Sequence, residues 1–451
     1  MTKKILLAAV AATAFASNSL AGGLMTNTNY HIAFDRMMAR GASMDIDAAY
    51  SNPAGLAWGH DGLQFSLDFQ KPWQNRDIEY GGKTYEGKAS APIVPALFGS
   101  YKQDKWAVSA MIGIVGSGGY VEYNDGIPMF NVPISAMLAS RGLTSDMYTL
   151  DSEMKGKQYI YGGQLNFTYR LTDFLSAAVG VRANYYDGYY RGHVVADRGG
   201  MKLVNLQLDC DQRAWGFAPV VGVDFHKGPM TIAAKYEFRT KINTKNSTNE
   251  LTVGMMQTAP VPAYTETDVK AMAQTIGNDA TVAALSQTAL GDMAGKIRNY
   301  LPEERTRYDM PSLLAVAMGY EITPRLRATV EYHYFDDTHA KMADNRQKAL
   351  TKGTNEFQLG AEYDINDQIT VSLGGQRTDY GLSDDYQMDT SFACDSYSVG
   401  LGAAVRLTDM IRLNAGYFIT LYSDYTKESA LGQETYSRTN NVIGLGIDFK
   451  F

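Results

Sequence analysis

The chain has 451 residues, 20% of them charged, with 43 Gly, 30 Tyr and a formal charge of −7. Its mild acidity leaves no electrostatic footprint for nucleic acid. Past residue 21 no run approaches the ~18 apolar residues of a membrane helix, which excludes a helical membrane protein and leaves a β-barrel open.

Lys3 and Lys4 precede an apolar stretch from Ile5 to Phe15, and Ser19-Leu20-Ala21 offers small residues for cleavage. Residues 1–21 are therefore predicted to be a secretory signal peptide. Its removal takes the formal charge from −7 to −9. Residues 22–60 show no regular alternation. Asn52-Pro53-Ala54-Gly55 suits a type I turn, with Asn, Pro and Gly each at a favoured position. Phe34, Met37, Met38, Met44, Tyr50, Leu56 and Trp58 make this segment too apolar for a solvated tail.

From residue 61 onward the chain alternates with period two, apolar on one face and small or polar on the other. Leu175, Ala177, Val179 and Val181 oppose Ser176, Ala178, Gly180 and Arg182; Ile232, Tyr236 and Phe238 oppose Lys235, Glu237 and Arg239. Fourteen such strands are predicted, at 63–70, 93–102, 105–115, 158–171, 173–191, 201–226, 229–244, 311–321, 324–337, 355–365, 368–380, 393–407, 410–425 and 437–451. "YRLTD", "YEITP", "YDIND" and "VRLTD" mark short turns at one end. Long loops, above all 116–157 and 245–310, fall at the other. An even strand count with this asymmetry describes an all-β, antiparallel transmembrane barrel of the bacterial outer membrane, spanning residues 61–451. A water-soluble sandwich would give no reason for the asymmetry.

The last residues, "VIGLGIDFKF", place Ile443, Leu445, Ile447, Phe449 and Phe451 on one face. This strand is expected to pair with the first, so that no edge remains in lipid. The final Phe resembles the signal by which outer-membrane proteins are presented to the barrel-assembly machinery. Tyr169, Tyr320 and Tyr363 point outward at the short-turn end, where an interfacial girdle contacts outer-membrane lipid. The nearest place to bury the apolar residues of 22–60 is the barrel lumen, so that segment is predicted to be a plug, or hatch.

No GxSxG, HExxH or P-loop pattern is present, so neither enzymatic chemistry nor a cofactor or metal is expected. Cys210 and Cys394 are too few for a disulfide framework; they pair with each other or stand as two small side chains.

"GASMDIDAAYSNPAGLAW" resembles the hatch of the FadL/TodX family of outer-membrane transporters of hydrophobic compounds, with Asp47, Ala48, Asn52, Pro53, Ala54 and Gly55 as the matching positions. "RAWGFAPVVGV", "KYEFRTKI" and "MPSLLAVAMGYEITPRLRATVEYHYFD" are similar to strands of that family in the same order, though Met310-Pro311 replaces the commoner Leu-Pro. The resemblance implies passive transport of hydrophobic small molecules, typically long-chain fatty acids. It also implies a lateral opening at a kinked third strand, which here holds Gly113 and Gly116. Phe34, Met37 and Met38 are then candidates for ligand contact. So are Met272, Ile276 and Met293, which fall at helical spacing in the 245–310 loop and fit rim packing equally. Arg182, Arg239 and Arg412 face the lumen by parity; each could meet a carboxylate headgroup or serve ion pairs of the wall. A general diffusion porin, or a surface receptor built on the large loops, are the competing functions.

Overall fold

The computed structural model describes residues 23–91, 93–139, 141–255, 300–429 and 432–451. Nineteen strand segments form one antiparallel sheet. Joined end to end they make a closed barrel of fourteen strands. These are β1 (Gly62–Tyr80), β2 (Lys83–Tyr85, Gly87–Ser90 and Val94–Gln103), β3 (Trp106–Tyr123), β4 (Thr149–Arg170), β5 (Leu175–Arg198), β6 (Met201–Lys227) and β7 (Met230–Glu237 and Asn243–Met255). The second half comprises β8 (Arg305–Arg307 and Leu313–Thr323), β9 (Leu326–Phe335), β10 (Thr354–Asp364), β11 (Ile369–Asp379), β12 (Ser396–Arg406), β13 (Ile411–Tyr422 and Tyr425–Ser429) and β14 (Gly432–Lys450). β14 closes on β1 from Gln64↔Lys450 to Tyr80↔Glu434.

The alternation of the sequence is the two-sidedness of the wall. Leu165, Phe217 and Leu445 are more than 60% exposed on the outside, while Ser176, Arg182 and Asp448 are buried within. So broad an apolar exterior suits lipid and would be a liability in water. Tyr169, Tyr320 and Tyr363 all face outward.

Two expectations are corrected. The predicted loop 116–157 is largely strand: β3 runs on to Tyr123 and β4 begins at Thr149, with only α3 (Pro128–Ala139) and short turns between. β4, β5 and β6 have 22, 24 and 27 residues, against the ~9–11 that cross a bilayer. Beyond the lipid the outer face needs no apolar residues, so ladder contacts such as Lys155–Glu122 at 3.3 Å replace the pattern that marked the strands. Likewise β1–β2 and β5–β6 meet in tight turns at Gly81-Gly82 and Gly199-Gly200, where positive φ at both positions makes glycine necessary.

Residues 23–60 lie inside the barrel as α1 (Ile32–Met37), α2 (Ala48–Ser51) and a 3-10 helix, Pro53–Trp58. Most of their side chains are buried. Cys210 and Cys394 are separate buried thiols, so of the two possibilities the unpaired one holds.

Candidate functional site

α1 is started by His31, whose Nδ1 accepts from the Ala33 N–H at 3.0 Å. It lies against a belt of glycines on the lumen face of β10–β14, with Gly360↔Gly374, Gly374↔Gly400, Gly402↔Gly416 and Gly416↔Gly444 paired across neighbouring strands. A Cβ at Gly360 or Gly374 would overlap the Met37 carbonyl, and one at Gly400 the Asp35 carbonyl. The glycines are there for close approach of a helix, not for chain flexibility.

Charge then holds the segment. Arg40 clamps Asp47 through two bonds of 2.7 and 3.0 Å and reaches Glu362 of β10 at 3.4 Å. Arg36 reaches Glu362 at 3.2 Å. Arg412 of β13 grips Asp45 at 3.1 Å, and Glu331 of β9 accepts from the Gly41 N–H at 2.7 Å. Burial would push the His31 imidazole down, but the Asp68 and Asp448 carboxylates beside it outweigh that and hold its pKa at about 9. Asp35 is the exception: neither carboxyl oxygen has a hydrogen-bond partner among the described residues. Burial pushes its pKa well above the usual carboxylate range. The cavity lined by Phe34, Met38, Tyr50 and His333 measures about 20 Å³, room for roughly one water.

Past β14 and β1 in the closed ring, the wall is interrupted. β2 and β3 pair from Gly87↔Tyr123 to Ser90↔Tyr120 and again from Leu97↔Ile112, with no pairing between these among the described residues. β3 carries two bulges in the same stretch, at Ile114/Gly116 and Ser117/Gly119. From inside, the Asn27 N–H donates to the Val115 carbonyl at 3.1 Å, its side chain to Ile114 at 3.2 Å, and the Tyr30 hydroxyl to Val115 at 3.0 Å. A Cβ at Gly116 would overlap the Met25 carbonyl. Outside lies a concavity of about 550 Å³ lined by Ile93, Pro95, Leu97, Ile112, Ile114 and Tyr159. Val94 and Ile114 also belong to one apolar cluster with Phe34, Met38, Phe418 and Val442. Apolar contact therefore runs from α1 into the gap.

A family model described as "Outer membrane protein beta-barrel domain" matches residues 259–451. No curated protein matches in sequence. Among solved structures, a Pseudomonas aeruginosa FadL homologue superposes with a TM-score of 0.64 at 14% identity, over 96% of this chain and 100% of that one. The fold is that of the FadL channels. The toluene transporters TodX of P. putida (TM-score 0.58, 12% identity, 91% of this chain and 95% of that one) and TbuX of Ralstonia pickettii (0.56, 14%, 90% and 94%) share it. The fold is that of an outer-membrane β-barrel.

Within this FadL fold, the Asn52–Gly55 turn forms with the Gly55 N–H donating to the Asn52 carbonyl at 3.0 Å. The wall reads it directly: Thr168 donates to the Pro53 carbonyl and Ser176 to the Ala54 carbonyl, each at 2.8 Å, while the Asn52 amide donates to Val223 at 3.0 Å. Ala48 is fully buried beside Asp47. Phe34, Met37 and Met38 are buried on α1 or at its end. The arginines resolve toward the wall. Arg182 pairs with Glu237 at 2.8 Å and Arg412 with Asp448 at 2.9 Å. Arg239 sits at the break in β7, donating to the His339 carbonyl. In this structure all three spend donors on protein groups of the wall and of the inner segment. Gly113 stays in register opposite Gly162, and the irregularity begins just beyond it, at Gly116. Met272, Ile276 and Met293 lie outside the described residues. Parity reasoning passed over Arg76 and Arg438, which face each other in the β1–β14 ladder. Counting back in twos from Asp448 would have found the second.

Proposed function

We propose that this chain is a passive outer-membrane channel for hydrophobic compounds, with residues 22–60 as its hatch. The observation that carries the reading is the apolar gap between β2 and β3, filled from within by residues 25–30. A ligand reaching the lumen leaves sideways into the bilayer when that stretch withdraws, without crossing the polar periplasmic end. No energy source is needed, because each step runs from a less to a more apolar surrounding. A diffusion porin needs a wet lumen, and here α1 and its charge clamp occupy it.

The similar structures include toluene transporters, so the size of the cargo is open between small aromatics and long-chain fatty acids. Uptake of labelled oleate and of labelled toluene by cells lacking their own channels separates these. The reading expects uptake of at least one with no leak of sugars, and a change in that uptake when the Pro53 turn is disrupted. Free passage of sugars without hydrophobic uptake would replace it with the porin.

A further inference from the structure

The outer face of β5 stays apolar for as long as it crosses lipid and no further. Its outward apolar run covers residues 175–185, and that of β6 covers 215–225. Each is eleven positions long, against the ~9–11 residues that span a bilayer. Tyr161, Tyr185 and Trp215 stand side by side where these runs end, in one row across β4, β5 and β6. This is the end away from the short turns, and aromatic rings in such a row mark the level of the lipid headgroups. The outward residues of the next rows therefore meet the headgroup layer of the outer leaflet.

Those rows are rich in cations. Arg213 of β6 is directly opposite Lys245 of β7, and Lys155 of β4 is directly opposite Arg191 of β5. Lys157 lies between them, opposite Tyr189; its Nζ is 5.2 Å from that ring and the Arg191 guanidinium 4.2 Å from it. Like charges set opposite each other destabilise a sheet, and this sheet does so twice within three rows. The aromatic row on β10–β13 is different. Phe357, Arg377, Tyr397 and Leu421 bring one cation, and the row beyond pairs Asn355 with Asp379.

Carboxylates are interleaved with the cations of β4–β7. Lys157 and Arg213 share Asp187 at 2.7 and 3.1 Å, and Arg191 reaches Asp209 at 3.0 Å and Asp211 at 3.5 Å. Lys155 and Lys245 are likewise paired with glutamates. The Arg213 side chain is 61% exposed and that of Arg191 44%. Ion pairs that water reaches are worth little, so they give way to a more highly charged anion. A surface of mixed sign also suits a layer of phosphates cross-linked by divalent cations. The protein's cations meet phosphate, and its aspartates meet the divalent ions.

From this we infer that the outward face of β4–β7, just beyond Tyr161, Tyr185 and Trp215, binds the phosphate groups of the outer leaflet's glycolipid, lipid A. Its acyl chains lie against the exposed apolar band below, on residues such as Leu165, Val181 and Phe217. The inference concerns what surrounds the barrel and is independent of what the lumen carries.

Native mass spectrometry of the purified, detergent-solubilised protein tests this, with bisphosphorylated lipid A and its dephosphorylated form as the two probes. The wild type is expected to retain the phosphorylated form by about tenfold or more, as several cations at a headgroup layer should. Arg191→Gln and Arg213→Gln should each reduce that ratio severalfold, and together bring it close to one. Arg377→Gln should leave it alone. Equal retention of both probes by the wild type would overturn the site, and that result needs no variant. A loss in Arg377→Gln as large as in Arg213→Gln would also overturn it, because the preference would then have no place on the barrel. Phosphatidylglycerol held as tightly as lipid A would replace the glycolipid site with a surface for any anionic lipid.

Discussion

Two walls of the barrel meet the hatch in opposite ways. On β10–β14 a belt of glycines admits α1 to backbone contact, and Arg36 and Arg40 lock it to Glu362. On β2–β3 the ladder is open over several residues among those described, and Asn27 and Tyr30 tie the hatch to the bulged strand. The first wall invests in a fixed position; the second is held by a few neutral hydrogen bonds, each worth about 1 kcal/mol net. If the hatch moves in transport, this difference predicts that it loosens first at β2–β3 and last at β10–β14.

Breaking the fixed side should have the largest effect. Arg40→Ala strands Asp47 as a buried charge and takes from Glu362 one of its cations, at a cost on the order of 3–5 kcal/mol, and should raise conductance in planar bilayers. Gly374→Val is expected to follow at about 1–3 kcal/mol, the usual cost of overpacking, with the same rise in conductance. Gly375→Val, one residue along on the outward face, should change nothing. If both glycine variants behave alike, the belt is not a helix seat.

A smaller effect should come from pH. His31 has its pKa raised by docking, so its contribution is full below about 6.5 and is lost as pH rises through about 9. Burial raises the Asp35 carboxyl too, so rising pH acts on it in the same direction. Protection of the amides of residues 31–38, taken relative to their intrinsic base-catalysed exchange, should therefore fall between pH 6.5 and 9.5, and His31→Gln should flatten part of that slope. Lower protection at the acid end would reverse the assignment.

What could be read from the sequence followed the solvent boundaries. Where a strand divides lipid from lumen, alternation marks it, so Ile443–Phe451 and Leu175–Ala183 gave their faces away. Where β3 and β4 leave the bilayer, that contrast ends and the same strands looked like loop. The hatch showed itself through apolar residues with nowhere else to go, and its Asn52–Gly55 turn through local turn chemistry. Partners were another matter. Parity placed Arg182 and Arg412 inside the barrel, but Glu237 and Asp45 are far away in the chain, and only the closed barrel brings them together. The glycines at 400, 402, 416, 444 and 446 were visible as a small face, yet their purpose depends on a helix more than 350 residues earlier.

The lateral route is tested most directly with a photoreactive fatty-acid analogue, crosslinked in native outer membranes and mapped by mass spectrometry. Labels should fall on Ile93, Ile112, Ile114 and Tyr159 at the gap between β2 and β3. Labels confined to the periplasmic end, around Trp58, would mean that ligand passes straight through the hatch, and the contrast between the two walls would have no part in transport.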